Sequence, residues 1–124
     1  MSDVHFTVII REKDADDEFL DALTRRLRNE LLELGVESAV RPSGGELPEG
    51  AKGIDIPTLN QIAVAVAPGT LTGLIEFLQH WKLRSKTRTL KIKTPGGFEI
   101  EFPTDQKYSE DQLLALVDKL RARE

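Results

Sequence analysis

The stretch Leu59-Asn-Gln-Ile-Ala-Val-Ala-Val-Ala-Pro-Gly-Thr-Leu-Thr-Gly-Leu-Ile-Glu-Phe-Leu-Gln-His-Trp81 is the longest apolar run in the chain, and the rest is arranged to bury it. No charge falls between Pro57 and Ile75, a length that on its own could cross a bilayer. Asn60, Gln61, Thr70 and Thr72 dilute the run, however, and Pro68-Gly69 breaks it into two core pieces. The second piece reads as a helix from about Thr70 to Arg84, with Leu71, Leu74, Ile75, Leu78 and Trp81 along one side. The first piece, Leu59 to Ala67, fits two patterns. Ile62, Val64 and Val66 alternate with alanines as in a strand, while Leu59, Ile62, Ala63 and Val66 fit a buried helix. Alanine favours helices over strands, which tilts the expectation to helix.

Upstream, Val4, Phe6, Val8 and Ile10 alternate onto one face of an expected strand. A helix follows over roughly residues 16–34, where Leu20, Leu23, Leu27, Leu31 and Leu34 recur at helical spacing. Asp16, Asp17 and Glu18 crowd its start, where the helix dipole favours anions, and Gly35 suits its left-handed stop. Val36 to Arg41 is a second short strand. Strand, helix and strand of these lengths imply a right-handed crossover with parallel strands. Residues 42–58, rich in glycine and proline at their start, read as a flexible internal loop.

Downstream, Arg88–Thr94 and Phe98–Phe102 form an expected hairpin around Pro95-Gly96-Gly97. Leu90 and Ile92 share one face with Phe98, Ile100 and Phe102, while Lys91 and Lys93 share the other with Glu99 and Glu101. Opposite charges across the strands contribute roughly 0.2–1 kcal/mol per pair. Ser109 and Gln112 make a capping box for a last helix whose stripe is Leu113, Leu116, Val117 and Leu120. The expected fold is a single α+β domain over residues 1–124, in the order β-α-β-α-α-β-β-α. Its sheet is expected to be mixed and about four-stranded, with helices packed mainly on one face.

The 124 residues carry a net charge of −4 and no cysteine. That excludes disulfides and thiolate chemistry and suggests a reducing, cytoplasmic setting. The start of the chain lacks the basic-then-apolar pattern of a signal peptide. No phosphate-binding glycine loop, nucleophile elbow or paired-carboxylate motif is present. His5 and His80 would have to converge with a carboxylate such as Asp55 or Glu76 to hold a metal, and neither stands in a ligand-spaced motif. No catalytic, cofactor or metal residue is therefore assigned. Lys82, Arg84, Lys86, Arg88, Lys91 and Lys93 make a local basic cluster, but only Trp81 lies near to stack bases, so nucleic acid is disfavoured. A peripheral membrane-surface module using the apolar middle and its basic end is the main alternative to a protein-binding role. A small enzyme with a dispersed site is another.

From the central stretch onward the features form a series: an apolar segment, Leu-Ile-Glu-Phe-Leu-Gln-His-Trp81 with Lys82-Leu-Arg84, a Lys/Thr-rich strand, a Gly-Gly turn with Phe-Glu-Ile-Glu101, and a capped leucine-rich helix. This series resembles the effector-associated constant component family of bacterial conflict systems. The run after Trp81 is interrupted by Leu83 and Ser85, and so is less continuous than the family's arginine runs. The resemblance implies a non-enzymatic adaptor or regulator in antiphage defence, without a cofactor. It would act beside a nearby effector such as a caspase-like or trypsin-like peptidase, and in some systems beside a nucleotide-hydrolysing switch. The expected contact residues are Trp81, Lys82, Arg84, Lys91, Lys93, Glu99 and Glu101.

Overall fold

The computed structural model describes residues 3–41, 60–102 and 108–122. The glycine-rich loop expected over 42–58 lies outside the described residues. Strand β1 (Val4–Glu12) buries Val4, Phe6, Val8 and Ile10 on one face. Helix α1 (Asp17–Glu33) is capped by Asp16, whose Oδ1 accepts from Phe19 N at 2.8 Å. It buries Leu23, Leu27 and Leu31 against the sheet and ends at Gly35, whose φ of 94° is the left-handed stop its sequence suggested. Strand β2 is Ser38–Val40 and strand β3 is Gln61–Val66. A 3₁₀ turn at Pro68–Thr70 leads into helix α2 (Leu71–Lys82). Strands β4 (Arg88–Lys93) and β5 (Glu99–Phe102) form the expected hairpin, and helix α3 (Glu110–Ala122) closes the described chain.

The five strands lie in the order β2-β3-β1-β4-β5, and every neighbouring pair is antiparallel. The α+β class and the single helical layer agree with the sequence reading, but there is one more strand than expected and the sheet is antiparallel throughout rather than mixed. The additional strand is β3. Residues 59–67, tilted to helix by their alanines, contain a six-residue strand instead. β3 sits between β1 and β2, pairing Phe6 with Val64 and Ala39 with Val64 on its two sides. Ladder bonds on both sides override alanine's local preference, and Pro68 leaves too few residues for a stable helix. β1 and β2 do run in the same direction, as the crossover argument requires, but β3 is inserted between them. β3 and β4 likewise flank β1. The first four strands thus form two interlocked split β-α-β units in ferredoxin-like order, extended by β5 and α3.

All three helices lie on the face that carries Val8, Ile10, Ile62, Val64, Leu90, Ile92 and Phe102. The core closes with Leu71, Leu74, Ile75 and Leu78 of α2 and Leu113, Val117 and Leu120 of α3. The opposite face presents Thr7, Ile9, Ala63, Lys91, Lys93, Glu99 and Glu101, with no helix over it among the described residues.

Candidate functional site

The seven residues expected to meet a partner divide into two groups. Trp81 is 2% exposed and Lys82 1% exposed, so both belong to the interior. The indole does not emerge beside a basic patch, and in this conformation it offers no face to a partner. Arg84 is at the surface and reaches Glu30 of α1 at 3.3 Å. Lys91, Lys93, Glu99 and Glu101 do come together, on the uncovered sheet face. There Lys91 Nζ stands 2.9 Å from Glu99 and Lys93 Nζ stands 4.0 Å from it. The two lysines draw the Glu99 carboxyl below its ordinary value, through the Lys91 hydrogen bond first and its charge second.

Beside this ladder the same face is hollowed. Small side chains at Ala63 and Ala65 on β3 form the floor, while Ile9, Val40, Lys93 and Pro95 rise around it, enclosing about 620 Å³ open to solvent. His5 lines this hollow. His80 lines a separate one between α2 and the start of α3, together with Glu76 and Tyr108. The two histidines are therefore on opposite sides of the sheet, and Asp55 lies outside the described residues. Among the described residues no group of three or more His, Asp or Glu side chains could hold a metal ion. Nor is any described helix long and apolar enough to cross a membrane.

A polar network that the sequence reading did not anticipate explains the burial of Trp81. Arg88 opens β4 and lays its guanidinium over the Trp81 ring at 4.2 Å. Its Nη1 donates to Trp81 O at 3.0 Å, and its Nε donates to Glu12 Oε1 at 3.0 Å. The other Glu12 oxygen accepts from Ser85 Oγ at 2.8 Å and from the Thr87 hydroxyl. Burial pushes the Glu12 carboxyl up, but the Thr87, Ser85 and Arg88 bonds together with the Arg88 charge outweigh it, and the net direction is down. The side chains of Glu12 and Arg88 are only 8% and 10% exposed. The network therefore locks the end of β1 to the α2–β4 connection. Residues 73 to 76 apart in sequence build it, so no local motif could have announced it.

A second junction positions Tyr108. Gln79, 4% exposed, donates from Nε2 to Tyr108 O at 3.2 Å and accepts from Tyr108 N at 2.8 Å. The Tyr108 ring meets Phe102 edge-on at 5.4 Å, and its hydroxyl donates to Glu101 O at 2.9 Å. Burial, and then the nearby Glu101 charge, push the phenol pKa up, so the hydroxyl stays a donor at neutral pH. The capping box beyond it is formed as expected, with Gln112 N donating to Ser109 Oγ at 3.2 Å and Ser109 N donating to Gln112 Oε1 at 2.8 Å.

No curated protein matches the chain, and no solved structure matches it. A family model does match, over residues 11–121, from the end of β1 into the last turn of α3. With that span covered, the chain belongs to the family described as Effector Associated Constant Component 1.

Proposed function

We propose that the protein is a non-catalytic adaptor or regulatory component of a bacterial conflict system, acting in the cytoplasm by binding a neighbouring effector. The observation that carries this reading is family membership over nearly the whole chain. The arrangement of the molecule supports it. The largely buried polar side chains of Glu12, Arg88 and Gln79 are spent on holding the fold. The uncovered sheet face, with its Lys/Glu ladder and small-residue hollow, stays open to a partner among the described residues. A caspase-like or trypsin-like peptidase is the effector class we favour, with a nucleotide-hydrolysing switch as a further component.

The apolar middle on which a membrane-surface role would depend is consumed by the core, since Leu71, Ile75 and Leu78 are all fully buried. The test is co-purification of the chain with the product of the adjacent gene, with and without nucleotide. A stable complex that survives gel filtration is the expected result. Absence of association in every nucleotide and ligand state would remove the adaptor reading.

A further inference from the structure

Peptide groups alternate in direction along a strand, so one known bond at each edge shows which groups face outward. Thr94 N donates to Phe98 O at 2.9 Å, and the register continues with Ile92 opposite Ile100 and Leu90 opposite Phe102. Phe98, Ile100 and Phe102 therefore address β4, and the peptide groups of Glu99 and Glu101 point away from the sheet. Of these, the Glu101 carbonyl is taken by the Tyr108 hydroxyl. The Glu99 groups and the Glu101 amide are left open among the described residues.

The other edge is short and partly occupied. Glu37 N donates to Ala65 O and Ile10 N to Asn60 O, both at 2.8 Å. Ala63 and Ala65 thus address β2, and Val64 addresses β1. Ala39, opposite Val64, faces outward. Its carbonyl is held by Arg28 Nε at 2.8 Å, and β2 is only three residues long.

The chemistry of the β5 edge is specific. Glu99 and Glu101 are exposed on the uncovered face, and Glu101 makes no ion pair among the described residues. Ile100 and Phe102 point to the core side. A strand added here would set alternate residues beside two carboxylates and the intervening ones beside the apolar layer. Two copies of β5 paired antiparallel would instead bring glutamates together, which disfavours self-pairing.

We propose that the free edge of β5 docks an extended segment of a protein partner in which lysine or arginine alternates with apolar residues, the Tyr108 hydroxyl competing for its last carbonyl. The proposal rests on the partner-binding reading above and names its mode.

The test uses the full chain and two eight-residue peptides, one alternating lysine with valine and one alternating glutamate with valine. The lysine peptide is expected to bind about tenfold more tightly, from the summed difference between attractive and repulsive cross-strand pairs. It should protect the Glu99 and Glu101 amides from exchange. The double variant Glu99→Lys, Glu101→Lys should reverse the preference, and Tyr108→Phe should tighten binding, with circular dichroism confirming that each variant folds. Equal binding of both peptides, binding of neither, protection confined to other elements, or dimerisation of the chain through β5 would each overturn the proposal. The peptides need no effector. Effector association without an edge site therefore rejects the docking mode alone, and peptide binding without effector association rejects the adaptor reading alone.

Discussion

Arg88 holds three things at once: the Trp81 ring, the Trp81 carbonyl and the Glu12 carboxylate. Removing one partner from a buried charge pair leaves the other unpaired in a dry setting, which costs roughly 3–5 kcal/mol. Arg88→Ala should therefore lower the urea midpoint strongly with little change in its slope. Arg88→Lys should recover only part of the loss, because an ammonium cannot reproduce the planar fork and the stacking. Glu12 also predicts an acid response. Its pKa is lowered in the folded state, so its contribution is complete above the unfolded value of about 4.3 and is lost as pH falls through the folded one. Stability measured from pH 6 downward should fall less steeply in Glu12→Gln than in the parent, although the variant starts from a lower value. These residues also show why the basic cluster in the sequence is not a patch in space. Lys82 turns inward from a helix end, Arg88 enters the core network, Arg84 reaches α1, and Lys91 and Lys93 stand on the far side of the sheet. A run that crosses from helix to strand sends successive side chains in unrelated directions.

Among the elements, those marked by local chemistry were legible. The β4–β5 hairpin follows from its alternation and its Gly-Gly turn, and Gly97 adopts the positive φ of 93° that such a turn needs. Gly97→Ala should cost roughly 1–2 kcal/mol through the left-handed backbone alone, since no atom beyond the flanking residues stands within 4 Å of the added carbon. The start of α3 follows from Ser109 and Gln112, and Ser109→Ala should lower thermal stability by about 1 kcal/mol. Calorimetry on both variants checks these magnitudes. β3 was not legible in the same way. Its strand character comes from neighbours 23 and 54 residues before it, as in Val40 with Ala63 and Val8 with Ile62. Non-local pairing of this kind leaves little mark on a six-residue window rich in alanine.

At the scale of the molecule, the interlocked β-α-β units place every described helix on one face and leave the other uncovered among the described residues. The one-sided arrangement was visible in the sequence because the hairpin sorts its charges to one side. The site it creates was only half visible. The lysine and glutamate ladder could be paired from alternation, but the hollow over Ala63 and Ala65 required knowing that β3 is a central strand. The central claim is that an effector binds this chain through the uncovered face at the β4–β5 end. Hydrogen–deuterium exchange of the chain, alone and in complex with the neighbouring effector, measures it most directly. The account predicts new protection concentrated in residues 88–102, with α1, α2 and α3 unchanged. Protection confined to the helices, with the hairpin exchanging as in the free chain, would contradict it.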